Sequence, residues 1–567
     1  NICIAADDGD EAIHAEQADR GSDTLLLKNT SQPRLGFRVN KIYIDSYYMD
    51  PQTKKYPEAN RELMKQFNEG MLVFNYIGHN DPEVGFTGEG LFSRYEMEHL
   101  TNTRLPLFIT ITCDYCQFDA EDVSAGENVF LNPSAGAIAL ITTTRVVYTD
   151  GNDKINQRLM KRLLERDSNG SPLRIGDVLK LAKRDFNTEI DKNKLNYVLI
   201  GDPALKLAYP EHSIQVTRIN GNSGEKNIEM IPGKNYTVEG EIRSHQNELL
   251  SDFNGYIYYN LYDKEKQFTT LAHQDKKTWT YTHRPDLLTT GKGTIQNGIF
   301  RITVALPIDN SHSGKSGLLN LYAYDESGRE ANGYTDKLIV STAVEPITED
   351  IQGPDIEFAG INDDSFTEGI LVNNPATFVC KFSDPSGIWN GNSLGKQMTL
   401  SLDGACIEEN VARYYKPIAE SEIPEGEFIY PLPRLSNGLH TLTFKVFDTL
   451  GNSSEVTIAF EVKENSETYT ISLEEEPATE RATISCQDQN GNDVTESKHT
   501  RISVTNTLGE EIWSYETTEN NPFPLTWNLQ DNNGKRVSAG QYYCKGYFET
   551  SAGTIVTPAK KIVVITQ

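Results

Sequence analysis

Apolar residues in the first 209 positions alternate between short continuous runs and helical spacing. Four runs indicate buried strands: ICIAA, LVFNYIG, LPLFITIT and GAIALITTT. Between them, the segments ANRELMKQFNEG, DKINQRLMKRLLERD and RIGDVLKLAKRDFN repeat Leu, Met and Ile at intervals of three and four residues, which is typical of amphipathic helices. This alternation of strand and helix predicts an α/β domain over 1–209, built on a parallel sheet with right-handed crossovers.

The pattern changes near residue 210, where helical spacing gives way to alternation with a period of two. NYTVEGEIRS, GYIYYNLYD, GIFRITVAL and NLYAYD are examples, and Gly, Asn and Asp turns separate them. Short alternating strands of this kind predict all-β sandwiches. Two linker-like segments divide the region into three predicted Ig-like sandwiches, over 210–346, 347–465 and 466–567.

One strand of the second predicted sandwich, within GLHTLTFKVFDTLGN, shows the alternation clearly. We expect Leu439, Leu442, Phe444 and Val446 to lie largely on its buried side. Core packing alone accounts for this pattern, so the strand by itself indicates no function.

The net charge of the chain limits the kinds of macromolecule that it is expected to bind. The chain has 567 residues, with 81 Asp and Glu against 53 Lys and Arg, a formal net charge of −28. Such a balance argues against binding nucleic acid or an anionic membrane surface, because both need clustered basic residues. No apolar run approaches the roughly 20 residues of a membrane-spanning helix.

The opening NICIAADDGD has no initiator Met and no signal-peptide pattern, so we expect a fragment or processed chain with an upstream part missing.

Seven cysteines are too few and too uneven for a disulfide scaffold. Cys380 with Cys406, and Cys486 with Cys544, are able to pair within single β domains. Separate buried thiols explain these four residues equally well, so the pairing stays open.

Three predicted strand ends carry chemically active side chains. IAADDGD places Asp7 and Asp8 after the first strand, NYIGHND places Gly78 and His79 after the second, and TCDYCQFD places Cys113 after the third. The carboxyl ends of adjacent parallel strands lie side by side, so these groups are able to meet. A thiol, an imidazole and a carboxylate in contact form the arrangement of nucleophile, base and orienting group that covalent catalysis needs.

The CDYC segment also permits other interpretations. A zinc site would need two further ligands, and the sequence has no second CxxC and no HxxxH. A thiol redox motif is disfavoured by the Asp and Tyr between the cysteines, and Cys116 is expected to be a buried, non-catalytic neighbour. The carboxylates that follow, Asp114, Asp119, Glu121 and Asp122, are able to hold a structural calcium ion, although a solvated acidic loop is the simpler interpretation.

NYIGH followed by TCDYCQFD resembles the gingipain-type cysteine peptidases of family C25, over about 1–209. The resemblance implies a caspase/gingipain-like fold in which Cys113 is the nucleophile, His79 the base and Asp8 the acidic member. Phe118 keeps the family's spacing of five residues after the nucleophile. Asn80 departs from the pattern, because Gly usually follows the GH pair in the digestive members.

The resemblance also implies two further parts of the site. Backbone N–H groups at Gly78 and Cys113 would bind the oxyanion. Tyr148, after the strand in GAIALITTTRVVY, would form an aromatic wall of the specificity pocket.

Segments of the predicted β region resemble one particular group of proteins. DPSGIWNGNSLGKQMTLSLDG and FIYPLPRLSNGLHTLTFKVFDTLGN resemble segments of type IX secretion sortases, and LTWNLQDNNGKRVSAGQYYCKGYF resembles the C-terminal signal domains of their cargo. This implies a cell-surface cysteine sortase, associated with the bacterial outer membrane, that cleaves the signal domain through a thioester and transfers cargo to anionic lipopolysaccharide.

The partners that the resemblance implies are cargo signal domains, the lipopolysaccharide acceptor, and an outer-membrane barrel partner (PorV-like) that binds through 466–567. No cofactor is certain. A gingipain-like endopeptidase and a non-enzymatic surface scaffold or adhesin are the two alternatives.

Overall fold

The computed structural model describes the whole chain except for short segments. The excepted residues are 29, 31–33, 82–84, 87–89, 186–191, 274–275, 309–313, 343–349, 363–370, 373, 392–394, 409, 419–422, 463–468, 476, 489–493, 495–496, 508, 520–521, 551–552 and 566–567.

The N-terminal domain alternates strands and helices, as its sequence predicts. Its strands are β1 (Ile2–Ala6), β2 (Val39–Tyr43), β3 (Val73–Ile77), β4 (Asn80–Asp81), β5 (Gly85–Phe86), β6 (Phe92–Ser93), β7 (Leu107–Ile111), β8 (Ala139–Thr143) and β9 (Tyr197–Ile200). Its helices are α1 (Ile13–Leu25), α2 (Pro57–Glu69), α3 (Arg94–Glu98), α4 (Ala125–Phe130), α5 (Thr149–Leu163), α6 (Ile175–Arg184) and α7 (Lys192–Asn196). A single 3₁₀ turn, Ile44–Ser46, follows β2.

Six of these strands form the central sheet, in the order β2-β1-β3-β7-β8-β9. The pairs β1–β2, β1–β3, β3–β7 and β7–β8 are parallel. Strand β9 runs antiparallel to β8, which corrects the expectation of a wholly parallel sheet. The chain enters β9 at the carboxyl end of β8, where Thr144 N–H donates to the Asn196 carbonyl, so no crossover returns it to the opposite end.

The sheet is buried on both faces, which explains why its strands are continuous apolar runs. In β1, Ile2, Ile4 and Ala6 pack into the core covered by α1, α5 and α6. The alternate residues Cys3 and Ala5 pack into the opposite core, against α2 and α4. Each fully buried Ile or Leu contributes about 1.5–3 kcal/mol through removal from water.

The β region begins with β10 (His212–Ile219), and the first module extends to residue 342. The other strands are β11 (Asn222–Ser223), β12 (Ile228–Met230), β13 (Asn235–Arg243), β14 (Gly255–Tyr262), β15 (Lys266–Thr269), β16 (Thr280–His283), β17 (Leu287–Gln296), β18 (Ile299–Ala305), β19 (Lys315–Ser316), β20 (Leu318–Asp325), β21 (Glu330–Thr335) and β22 (Leu338–Val340).

Eight strands of this module form one sheet, in the order β11-β10-β13-β18-β17-β14-β20-β21. The sheet closes on itself because β10 also pairs in parallel with β21. The sequence predicted two facing sheets here, and the alternation of buried and exposed residues is the same in both arrangements. A three-stranded sheet, β12-β22-β19, and the hairpin β15–β16 complete the module.

The hairpin β15–β16 packs against the N-terminal domain. Lys41 Nζ donates to the Thr282 carbonyl at 2.9 Å, and Tyr281 Oη donates to Ser46 Oγ at 3.0 Å. The buried Asp45 carboxylate accepts from the N–H groups of Ala272 and His273, at 2.7 and 2.9 Å. These contacts join the hairpin to the α/β domain within one compact unit.

The second module consists of two sheets with the orders β23-β25-β29-β28 and β24-β31-β30-β26-β27. Its strands are β23 (Asp355–Ile361), β24 (Leu371–Val372), β25 (Thr377–Ser383), β26 (Thr399–Leu402), β27 (Ala405–Glu408), β28 (Tyr415–Pro417), β29 (Glu425–Pro431), β30 (Gly438–Phe447) and β31 (Ser453–Val462), with a 3₁₀ turn at Ala412–Tyr414.

Strand β30 buries Leu442, Phe444 and Val446, as expected. Leu439 is 79% exposed, so its predicted burial is wrong. Period-two alternation places even-numbered residues inside, and His440 takes the buried position instead.

The third module also has two sheets, β32-β33-β36 and β35-β34-β37-β38, and β39 pairs with β37. Its strands are β32 (Thr470–Leu473), β33 (Ala482–Gln487), β34 (His499–Asn506), β35 (Glu511–Thr517), β36 (Leu525–Trp527), β37 (Gly540–Thr550), β38 (Gly553–Val556) and β39 (Lys560–Val564). The expected domain boundaries at 346/347 and 465/466 lie outside the described residues.

The chain divides into two compact units. One comprises Asn1–Asp350 with Gly391–Ser393 and Ile418–Glu422, and the other comprises the remaining segments of 351–567. Among the described residues, no helix has the length and hydropathy needed to cross a membrane.

Candidate functional site

The predicted site residues follow three strands whose ends are in register. Ala6 of β1 pairs with Ile77 of β3, and Ile77 pairs with Ile111 of β7. Asp8, His79 and Cys113 each lie two residues beyond this aligned row. The register therefore brings the three strand ends together at one edge of the sheet.

Asp7 fixes the backbone at the end of β3. Its buried carboxylate accepts from the His79 N–H at 2.6 Å through Oδ2 and from the Gly9 N–H at 3.0 Å through Oδ1. Gly78 makes this approach possible, because a Cβ there would lie 2.6 Å from Asp7 Cγ and from Tyr76 Oη. Asp7 thus holds the peptide that carries His79.

Asp8 is also buried, and its Oδ2 accepts from the Tyr56 hydroxyl at 2.6 Å. The structure therefore places Asp8 against Tyr56 and places Asp7 against the His79 main chain. The assignment of Asp8 as the acidic member of a triad stays a prediction.

The imidazole of His79 lies over Gly9 at the surface of the site. A Cβ on Gly9 would be 3.0 Å from His79 Cδ2 and 3.1 Å from Nε2, so glycine leaves room for the ring. His79 Nε2 is 3.6 Å from Asp10 Oδ2, and the side chain is 57% exposed. The exposed ring is therefore accessible to a substrate.

Cys113 is half-buried, with its Sγ against the backbone of Val147. Val147 N–H donates to the sulfur at 3.5 Å, and the sulfur lies 3.4 Å from the Val147 carbonyl. Asn80 Nδ2 donates to the Cys113 carbonyl at 3.2 Å. The residue that departs from the gingipain pattern thus ties the His79 segment to the Cys113 segment, a role that the sequence alone did not suggest.

One of the two oxyanion donors predicted from the sequence already has a hydrogen-bond partner in the sheet. Gly78 N–H donates to the Ile111 carbonyl at 3.3 Å, so this amide is occupied by the sheet ladder. Its role as an oxyanion donor, with Cys113, stays a prediction.

Residues 1–208, which contain all of these site residues, match peptidase family C25. The N-terminal domain belongs to peptidase family C25. The C25 domain is therefore a domain of the cysteine peptidase type, and the match ends within two residues of the domain boundary expected at 209. No curated protein matches the chain.

Solved structures similar to this chain include two from Porphyromonas gingivalis. Dimeric latent PorU is 17% identical with a TM-score of 0.33, and the alignment covers 100% of this chain and 64% of that chain. The complex of the pro- and mature domains of RgpB is 17% identical with a TM-score of 0.29, covering 60% of this chain and 68% of that chain. This chain therefore spans less than two thirds of the length of the PorU chain.

Tyr148 of the C25 domain is 67% exposed and follows Val147, the residue against Cys113. Asn193 clamps its main chain, accepting from the Tyr148 N–H at 3.0 Å and donating to its carbonyl at 2.5 Å. The clamp sets the start of α5 and holds an exposed aromatic ring one residue from the thiol contact. Its role as a pocket wall stays a prediction.

Cys116 is buried, in contrast to Cys113. Burial raises the pKa of the Cys116 thiol to about 11, although a hydrogen bond from the Ser124 side chain opposes this effect. A thiol with so high a pKa carries almost no nucleophilic thiolate near neutral pH.

All seven cysteines are free, and neither candidate disulfide is formed.

Two groups in the C25 domain bear on metal binding. In the predicted calcium loop, Arg145 pairs with both carboxylate oxygens of Asp119, at 3.0 and 2.6 Å. A separate cluster contains Asp7, His14 and His79, which each offer a ligand atom within 4.8 Å of the others. His14 was not among the residues predicted from the sequence, because its burial beside the site depends on the left-handed turn that precedes α1.

Proposed function

We propose that the chain is a PorU-like cell-surface cysteine sortase, in which Cys113 is the nucleophile and His79 the general base. The observation that carries the proposal is the register of β1, β3 and β7. It places a carboxylate pair, an imidazole and a thiol at the ends of adjacent strands in a domain of peptidase family C25.

The reaction begins when His79 takes the proton of the Cys113 thiol. The thiolate attacks the carbonyl carbon that joins cargo to its C-terminal signal domain. The C–N bond breaks, the protonated His79 gives its proton to the leaving amine, and a thioester remains on Cys113. Gly78 and Cys113 N–H groups stabilise the oxyanion in each half of the reaction, which requires the Gly78 amide to leave the Ile111 carbonyl.

In the second half, an amine of anionic lipopolysaccharide attacks the thioester, and His79 removes a proton from that amine. An amide forms, and the Cys113 thiol is regenerated. Asp8 orients His79 in this proposal, while Asp7 holds the backbone of His79 and Tyr148 borders the pocket for the cleaved segment.

The remaining modules supply partners and location in this proposal. The third module, 466–567, would dock on a PorV-like outer-membrane partner and hold the enzyme at the bacterial surface. A structural calcium ion in the acidic loop of the C25 domain is compatible with this proposal and is not required by it.

The proposal is tested by cargo processing in cells that carry Cys113→Ala. We expect unprocessed cargo to accumulate with its signal domain attached and without lipopolysaccharide. Cys116→Ala is the matched control, because its thiol is buried and protonated, and it should process cargo at close to the normal rate. Normal processing with Cys113→Ala would show that the nucleophile lies elsewhere.

Two further outcomes identify the alternative functions. Purified protein that hydrolyses reporter peptides with a basic P1 residue, without transferring cargo to an amine, would be a gingipain-like endopeptidase. Absence of selective Cys113 labelling by a cysteine-directed acyl probe would indicate a surface scaffold or adhesin.

A further inference from the structure

Four side chains of the C25 domain converge beside the proposed site. They are Asp7 and Asp10 from the loop after β1, His14 from the first turn of α1, and His79 from the loop after β3; we call them the His–Asp cluster. His14 Nε2 is 3.5 Å from Asp10 Oδ2 and 3.7 Å from Asp7 Oδ1. His79 Nε2 is 3.6 Å from the same Asp10 Oδ2.

His14 is the member that points to a ligand. Its side chain is only 5% exposed. Among the residues that the structure describes, neither ring nitrogen has a hydrogen-bond partner. Burial of a polar group without a partner is costly, and native structures rarely leave such a group unsatisfied. Imidazole nitrogen is the commonest metal ligand in proteins, and here it faces two carboxylates and a second imidazole.

Three of the separations between ligand atoms in the His–Asp cluster are close to those around a tetrahedral zinc-type ion. Bond lengths of about 2.0–2.2 Å to nitrogen and oxygen place tetrahedral ligand atoms about 3.3–3.6 Å apart. The three measured separations, from 3.5 to 3.7 Å, lie close to this range. Two imidazoles disfavour Ca²⁺ and Mg²⁺, which prefer oxygen ligands, and two carboxylates neutralise a divalent charge.

The backbone brings Asp10 towards both histidines by an uncommon route. Asp10, Glu11 and Ala12 are three consecutive non-glycine residues with φ of 57–62°. Residues other than glycine rarely adopt this left-handed conformation, because it brings Cβ close to the following carbonyl oxygen. It turns the chain sharply between β1 and α1, so that Asp10 Oδ2 lies between the two imidazoles.

We propose that the His–Asp cluster binds one zinc-type divalent ion and that the bound ion makes the enzyme inactive. The ion would coordinate His79 Nε2, and a coordinated imidazole nitrogen has no lone pair with which to accept the Cys113 proton. The binding site stands on geometry alone, whereas the inhibition rests on the proposed catalytic role of His79.

Binding is tested on full-length protein carrying Cys113→Ala, which removes the nearby thiol as a competing ligand. We expect calorimetric titration with ZnCl₂ to show one equivalent bound, and CaCl₂ or MgCl₂ to show none at the same site. His14→Gln should weaken zinc binding at least tenfold. His99→Gln, which changes an exposed histidine outside the cluster, is the matched control and should bind normally.

Asp10→Asn is the second variant, because its half-exposed side chain can be changed without disturbing the core. It should also weaken zinc binding at least tenfold while the melting temperature stays within about 2 °C of the parent protein. Failure of the parent to bind zinc, or equal binding by the parent, His14→Gln and Asp10→Asn, would overturn the site.

Inhibition is tested on protein with Cys113 intact, through labelling by the acyl probe. We expect zinc to suppress labelling, a chelator to restore it, and Asp10→Asn to need at least tenfold more zinc for the same suppression. Zinc binding without suppression would overturn the regulatory part. Failure to label in the absence of zinc would instead refute the proposed catalytic function, while the binding result would still decide the site.

Discussion

At the scale of single residues, Gly9 controls the space available to the proposed base. The side chain of any other residue would begin 3.0 Å from the His79 ring. We predict that Gly9→Ala displaces the imidazole and lowers the rate of cargo processing or probe labelling by about 10–100-fold, because small misplacements of catalytic groups have effects of this size.

The control for this prediction is Gly540→Ala, since a Cβ at Gly540 would meet only Tyr542 Cε2, at 4.0 Å. Labelling rates and melting temperatures should be measured for both variants. A Gly9→Ala variant that melts normally and labels at the parental rate would show that the position of the His79 ring over Gly9 is unimportant.

A second residue-scale prediction concerns His440 in β30. Its Nδ1 is 2.7 Å from Asp403 Oδ2 and its Nε2 is 2.8 Å from the Ser436 carbonyl. Burial lowers the pKa of His440, but hydrogen bonds to Ser436 and Asp403 outweigh burial and leave the pKa above its ordinary value of 6.5. Two acceptors facing both ring nitrogens favour the doubly protonated imidazolium.

The raised pKa gives this pair a defined pH dependence. The contribution of His440 to stability is complete below pH 6.5 and is lost as the pH rises through the folded-state pKa. The pKa of Asp403 is lowered, chiefly by the Thr441 N–H and then by His440, so its contribution is present above pH 3.8 and is lost on acidification through the lowered pKa. We predict that His440→Gln costs about 1 kcal/mol at pH 5.5 and clearly less at pH 8.5. Calorimetry of both proteins at both pH values tests this, and an equal cost at the two pH values would contradict it.

Sequence patterns located the strand ends at the site but not every side chain that converges there. Apolar runs revealed β1, β3 and β7, and register then follows from parallel pairing. Asp7 binds the His79 main chain and Asp8 binds Tyr56 because of the path that the chain takes after β1. Hydrophobic periodicity does not predict that path. His14 was missed because its burial depends on the left-handed turn that precedes α1.

At the scale of elements, a buried carboxylate is one of the groups that hold the hairpin β15–β16 against the C25 domain. Asp45 accepts from the Ala272 and His273 N–H groups and lies 3.0 Å from His273 Nδ1. We predict that Asp45→Ala lowers the free energy of unfolding by about 2–4 kcal/mol, because it leaves several donors without an acceptor.

Urea denaturation of the full chain measures this cost. The control is Asp252→Ala, which removes an ion pair with Arg329 at a carboxylate that is 74% exposed. Surface pairs of this kind contribute less than about 1 kcal/mol. Equal effects of the two substitutions would show that the hairpin docks through other contacts.

The elements that the sequence predicted best are those with a strong period. The three predicted helical segments correspond to α2, α5 and α6, and the alternating β segments to β13, β14, β18 and β20. Pairing between distant strands was not predictable in the same way. The antiparallel direction of β9 and the closure of β10 on β21 arise from the path of the chain, and a period of two is the same for either strand direction.

At the scale of the whole molecule, the excess of acidic residues opposes compaction. A net charge of −28 implies repulsion among exposed carboxylates, and salt screens such repulsion. We predict that the melting temperature rises by a few degrees between 10 and 200 mM NaCl. Scanning calorimetry measures it, and sucrose of equal osmolarity is the control for non-ionic effects. A melting temperature that falls with NaCl would mean that ion pairs in the native state outweigh the repulsion.

The closed sheet of the first β module also affects how the chain meets its neighbours. Strand β10 pairs with β13 on one side, and on the other with β21 through His212–Ile214 and with β11 through Arg218 and Ile219. Unsatisfied strand edges invite other polypeptides to add a strand and nucleate aggregates. Because the ladder of this module returns to its own first strand, it offers little template for such recruitment, even when many copies are crowded side by side. Strand addition by a binding partner would therefore need one of the sheets that stay open, among them those of the two later modules.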